Sequence, residues 1–125
     1  MPTFPIDAST AVLVVEDEAL LRLATVLDLR DAGFTVYEAA NADEAIAVLE
    51  TQSQIHILFT DVDMPGSMDG LKLSAAVHER WPPTCIIVTS GKALPGPADL
   101  PSGGRFVPKP YSVTKLVSAI QEMVA

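Results

Sequence analysis

Apolar, β-branched runs alternate along this chain with stretches of helical period. Ala11–Val15 (AVLVV) is continuously apolar and breaks into acids, the pattern of a strand buried on both faces of a parallel sheet. Over Glu18–Ala32, Leu20, Leu21, Leu23, Ala24 and Leu27 recur at helical spacing, and Gly33 supplies a stop. Phe34–Glu38 reads as a second strand. Asn41 is a cap for a helix over Ala42–Glu50, with Glu44 placed as in a capping box. His56–Thr60 (HILFT) reads as a third strand ending directly on Asp61. The turn DVDMPGSM then leads to Asp69, a cap for a helix over Gly70–Arg80 that Trp81-Pro82-Pro83 ends. Thr84–Thr89 and Arg105–Val107 read as the fourth and fifth strands, and Ser112–Val124 as the last helix. This order predicts one α/β domain with a mostly parallel sheet.

One connection breaks the rhythm. Gly91–Arg105 (GKALPGPADLPSGGR) is long enough for a crossover helix, yet Pro95, Pro97 and Pro101 each remove a backbone donor. Its four glycines raise the entropic cost of ordering. The expectation here is a loop with one short turn at Pro97–Leu100, proline suiting the first position of a helix. Of ten prolines in the chain, seven fall between Trp81 and Pro110, so this region carries most of the compositional oddity.

Composition narrows the function classes. The chain has 125 residues, 49% of them hydrophobic, which argues against disorder and provides enough apolar surface for a core. Eight Lys and Arg against sixteen Asp and Glu give a net charge of −8, which argues against a nucleic-acid binder. No apolar run reaches the length of a membrane span, and MPTFPIDAST lacks the regions of a signal peptide. A lone cysteine, Cys85, forms no internal disulfide, and a reduced, cytoplasmic setting is expected.

In parallel α/β sheets function gathers at the carboxyl ends of the strands. Here that edge collects Glu16 and Asp17 after the first strand, Asp61 after the third, Thr89 and Ser90 at the fourth, and Lys109 after the fifth. Clustered carboxylates repel unless a cation neutralises them, and hard oxygen donors suit Mg²⁺. Singly, each residue has a bland reading as a helix cap, a turn former or a surface lysine. Their arrival on one edge in this order does not.

The motifs VLVVEDE (Val12–Glu18), FTDVDMPGSMDG (Phe59–Gly70), VTSG (Val88–Gly91) and PKPY (Pro108–Tyr111) together resemble the receiver domain of two-component response regulators, over Thr10–Val124. The resemblance implies a flavodoxin-like, doubly wound sheet of five parallel strands in the order 2-1-3-4-5. Residues 11–125 would form the receiver domain after an N-terminal extension, 1–10. Asp61 would accept a phosphoryl group from a sensor histidine kinase or a histidine phosphotransfer protein. Glu16 and Asp17 would hold Mg²⁺ with Asp61 and the backbone carbonyl of Asp63. Ser90 would be the hydroxyl that bonds the phosphoryl group, Lys109 would pair with carboxylate or phosphoryl oxygens, and the Lys109–Pro110 bond would be cis. Phe106 falls at the aromatic switch position. The implied protein is a phosphorylation-dependent switch rather than a turnover enzyme, with a possible homodimer among its states.

Four features depart from the family pattern. Glu16 stands where many receivers carry Asp, so its longer arm could reach a metal through water. MPGSMDG is one residue longer than the common turn, so Gly66 and Ser67 are expected to bulge outward. Phe106 lacks the hydroxyl of the more usual tyrosine, and the proline-rich Gly91–Arg105 stands in place of the family's fourth helix. Asp63 and Lys92 each lie two residues beyond a key position; Asp63 could orient water, repel it or simply face solvent. The chain is expected to carry no output domain after the last helix, and so to act through partners or to be part of a larger regulator or hybrid kinase. The competing reading is a haloacid-dehalogenase-like phosphatase using Asp61 as nucleophile and Asp63 as acid–base. Against it, two strands and an acidic pair precede Asp61.

Overall fold

A computed structural model of the chain describes residues 10–52, 54–92 and 95–124; apart from Thr10, the expected N-terminal extension lies outside them. The elements run β1 (Ala11–Val15), α1 (Ala19–Asp31), β2 (Thr35–Ala39), α2 (Ala42–Thr51), β3 (Ile57–Asp61), α3 (Gly70–Arg80), β4 (Cys85–Ser90), a 3-10 turn (Pro97–Asp99), β5 (Arg105–Pro108) and α4 (Val113–Val124). The five strands form one parallel sheet in the order β2-β1-β3-β4-β5. This is the flavodoxin-like arrangement.

Strand alternation builds two core layers. Leu13, Val15, Leu58, Ile86 and Val88 face α2 and α3, meeting Ala45, Leu49, Leu73 and Val77. Val12, Val14, Ile57, Phe59 and Ile87 face α1 and α4, meeting Val26, Leu29, Leu116 and Ile120. Burial on both faces explains why β1 and most of β3 and β4 are unbroken apolar runs in the sequence.

Local chemistry sets the helix starts. Asn41 accepts the Glu44 N–H at 2.9 Å, and Glu44 reaches back to the N–H of Ala40. Asp69 accepts the Lys72 N–H at 2.9 Å. Glu18, at the start of α1, makes no side-chain cap.

Pairing carries several strands one residue past the ends predicted from the sequence. Asp61 is the last residue of β3, opposite Thr89, rather than the residue after the strand. Likewise Ser90 ends β4, opposite Pro108. At the opposite edge His56 lies outside β3, and its Nδ1 accepts the N–H of Ala11 at 2.9 Å.

Candidate functional site

Parallel register brings the acids together. Val15 pairs with Thr60, so Glu16 and Asp61 follow side by side at the carboxyl edge. Glu16, Asp17 and Asp61 can each offer a carboxylate oxygen within 4.8 Å of one another. Glu16 and Asp61 are only 4% and 3% exposed, while Asp17 is open to solvent. Lys109 enters from the end of β5, its N–H donating to Ser90 O at 3.1 Å. Its Nζ donates to Glu16 Oε1 at 2.9 Å and Asp61 Oδ2 at 3.0 Å. The next peptide bond, Lys109–Pro110, is cis.

Burial pushes the Glu16 carboxyl above its ordinary range, with the neighbouring Asp61 charge adding to this; the Lys109 hydrogen bond and the Glu18 N–H partly offset it. Burial works against a charged Lys109, yet its two carboxylate partners outweigh that and hold it above the usual lysine range. Three carboxylates against one ammonium leave a surplus of negative charge and hard oxygen donors, a set that fits a divalent cation such as Mg²⁺.

Beyond the acids, the adjacent hydroxyls Thr89 and Ser90 separate. Strand alternation sends them to opposite faces of the sheet. Thr89 Oγ1 is buried without a hydrogen-bond partner among the described residues. Ser90 Oγ donates to Asp63 Oδ2 at 2.9 Å and accepts the Lys92 N–H at 3.2 Å. Asp63 also donates its own N–H to Asp61 Oδ1 at 3.2 Å. Phe106 pairs with Val88 and packs, half-buried, against the core layer on Ser90's side of the sheet. In the longer turn Gly66 adopts φ 115°, and the exposed Ser67 donates to Asp43 at 2.7 Å.

Three supports were not evident in the sequence. Arg22, one helical turn into α1, donates to the carbonyl of Glu16 at 2.8 Å and pairs with Glu38 at 3.1 Å, bracing the acidic loop. Gly70 presses against the backbone at the carboxyl end of β3: a Cβ there would lie 1.9 Å from the carbonyl oxygen of Asp61. Tyr111 shares a 2.7 Å hydrogen bond with Thr25 of α1 and sets its ring edge-on to Phe59, tying the loop that bears Lys109 to α1. The only advance signal was the DG pair at Asp69-Gly70, where glycine follows a cap.

Next to this rim lies an apolar groove of about 470 Å³ between α1 and the start of α4, lined by Leu21, Ala24, Thr25, Lys109, Tyr111 and Leu116. Beside it Leu20, Leu23 and Leu27 stand 78%, 50% and 53% exposed along α1.

A doubly wound parallel sheet with buried carboxylates and a paired lysine at its carboxyl rim defines a class of α/β domain built to handle a charged group at that edge. The family model "Response regulator receiver domain" matches residues 12–121, and the chain belongs to that family, whose members are phosphoacceptor signalling switches. The chain is 36% identical to sensor kinase CckA of Brucella abortus over 125 residues, covering 95% of this chain and 13% of that protein. It is 30% identical over 117 residues to the DNA-binding transcriptional regulator NtrC of Salmonella typhimurium, covering 91% of this chain and 24% of that protein. Among solved structures, the receiver domain of the hybrid histidine kinase CckA superposes with a TM-score of 0.78 at 30% identity, covering 92% of this chain and 99% of that one. The chain thus spans a minor part of the length of these two curated relatives. No helix among the described residues is long and apolar enough to cross a membrane.

Proposed function

We propose that Asp61 is the phosphoacceptor of a receiver domain spanning residues 11–125, and that its donor is the phosphohistidine of a sensor histidine kinase or phosphotransfer protein. The observation that carries this reading is Lys109 Nζ bonded to both Glu16 and Asp61, within a cluster of three carboxylates. An Asp61 carboxylate oxygen attacks phosphorus, the P–N bond to the donor imidazole breaks, and the imidazole leaves with its electron pair and takes up a proton. An anionic nucleophile and an anionic phosphoryl group repel, so the barrier falls only if positive charge is already in place. Lys109 supplies one such charge, and its pairing with Asp61 holds the carboxylate in a fixed orientation. Glu16, Asp17, Asp61 and the backbone carbonyl of Asp63 would hold Mg²⁺, which when bound supplies the remaining neutralisation between carboxylate and phosphoryl oxygens. Arg22 and Gly70 act on the backbone that presents these acids.

After transfer, the phosphoryl group brings about −1.5 to −2 charge and three acceptor oxygens to the rim. Ser90 is the hydroxyl that answers it, and Phe106, on the same face and lacking a hydroxyl, responds by packing. The connection from β4 to β5 carries the Pro97–Asp99 turn, at the place where the resemblance implies a helix. We read this as the chain's own departure in the surface it offers to output partners. Accepting one phosphoryl group and holding it makes this a switch rather than a turnover enzyme. The dehalogenase-like phosphatase finds no support in the relatives reported above, and its required acid–base, Asp63, is occupied by Ser90.

The donor must bring its phosphohistidine to the rim, and the exposed Leu20, Leu23 and Leu27 flank that approach. The test is labelling by acetyl phosphate with Mg²⁺. Wild type should take up one phosphoryl group per chain and Asp61→Asn none; label retained by Asp61→Asn removes Asp61 from this role.

A further inference from the structure

We propose that Asp63 is a resting-state latch on Ser90: its carboxylate holds the one proton that Ser90 must give to an arriving phosphoryl group. This deepens the reading above and rests on Asp61 as phosphoacceptor and Ser90 as the responding hydroxyl.

The geometry is specific. Asp63 stands two residues after Asp61 in the turn that follows β3, and Ser90 ends β4, the neighbouring strand. Their side chains meet at 2.9 Å, Ser90 Oγ donating to Asp63 Oδ2. The Lys92 N–H donates to the same Oγ at 3.2 Å, so the hydroxyl accepts as well as donates. Asp63 is itself positioned, because its backbone N–H donates to Asp61 Oδ1 at 3.2 Å. Ser90 is 3% exposed, so bulk water does not readily replace either partner.

A serine hydroxyl carries a single hydrogen. It cannot donate at once to the Asp63 carboxylate and to a phosphoryl oxygen. The two acceptors are both anionic, and a hydrogen bond to a charged acceptor is roughly twice as strong as a neutral one. Asp63 therefore competes for Ser90 on nearly equal terms with the signal that Ser90 is meant to read. The Lys92 N–H, which needs only a lone pair of Oγ, does not compete for that hydrogen. A carboxylate at this position raises the threshold: the domain switches only when the phosphoryl group outbids it. This assigns Asp63 a positioning role, acting through Ser90.

The experiment titrates the full chain with beryllium fluoride, a phosphoryl mimic, in Mg²⁺, reading the amide resonances of Lys92 and Phe106. Asp63→Ala keeps the backbone carbonyl and removes the acceptor; it should bind the mimic about tenfold more tightly than wild type, the value of one charge-assisted hydrogen bond. Asp63→Asn, which keeps an uncharged acceptor, should fall between the two. Loss of the carboxylate also removes a repelling charge, so the decisive comparison is made in Ser90→Ala. There Asp63→Ala should gain no more than about twofold, because the proton it competed for is absent. An undiminished tenfold gain in Ser90→Ala would show that Asp63 acts by charge alone and would overturn the latch. So would equal binding by wild type and Asp63→Ala. If wild type and every variant fail to bind the mimic, the phosphoacceptor reading falls and the latch with it. Binding by wild type with no Asp63 effect removes the latch alone.

Discussion

At the scale of single residues, Lys109 and Tyr111 share one consequence of being drawn into the site. The folded protein holds both protons more tightly than the unfolded chain, Tyr111 first through burial, and Lys109 because two carboxylates outweigh its burial. The unfolded chain releases these protons near the ordinary values of 10.0 for tyrosine and 10.5 for lysine. Above those values the folded state binds more protons than the unfolded one, so stability must fall as pH rises; below them the contribution is fully present. Urea midpoints measured between pH 8 and pH 11.5 should therefore decline from about pH 10. Tyr111→Phe and Lys109→Met should each flatten that decline; variants that decline as steeply as wild type would acquit both groups. Glu16 follows the same rule in acid. Its raised value favours the folded state below the ordinary 4.5, and that contribution is lost as pH rises through the folded value.

At the scale of elements, the meeting of β3 and α3 has no tolerance. Gly70 begins α3 and donates to Val62 O at 3.0 Å, while its Cα faces the Asp61 carbonyl. Any side chain must push the backbone at the end of β3, since the contact is with backbone rather than a flexible side chain. Gly70→Ala should cost at least about 3 kcal/mol in urea unfolding and should lower acetyl phosphate labelling even in the folded fraction. A variant as stable and as readily labelled as wild type would mean that this junction yields. On α1, the leucine stripe contributes little to folding because Leu20, Leu23 and Leu27 stay largely exposed. Leu23→Glu should leave stability within about 0.5 kcal/mol of wild type. It should slow transfer from a donor protein while labelling by acetyl phosphate stays unchanged; slowing of both would place the effect in the site itself.

At the scale of the whole molecule, two apolar layers hold a sheet whose carboxyl edge is a concentrated negative charge. Glu16 and Asp61 are buried there, and Lys109 offsets only part of their repulsion. A divalent cation that binds the folded protein alone must stabilise it, by about 1.4 kcal/mol at ten times its Kd. Thermal melts with and without Mg²⁺ should show that increment for wild type, and Asp61→Ala should lose most of it. An increment retained by Asp61→Ala would place the bound cation elsewhere.

Much of this was legible in the sequence. The alternation of apolar runs and helical stretches is a local property, so the element order could be read, and the caps Asn41 and Asp69 form within their own helices. Which residues end a strand was less legible, because ladder pairing, not apolar character, carries β3 to Asp61 and β4 to Ser90. The acids and the lysine were visible as residues at strand ends. What only the tertiary structure decided is how they share their partners. Lys109 between Glu16 and Asp61, Thr25 against Tyr111, Arg22 on the Glu16 carbonyl and Asp63 on Ser90 all join groups from different elements. Side-chain type and spacing name the candidates for such contacts, but distance and direction follow from how the sheet and helices pack, and a hydrogen bond depends on both.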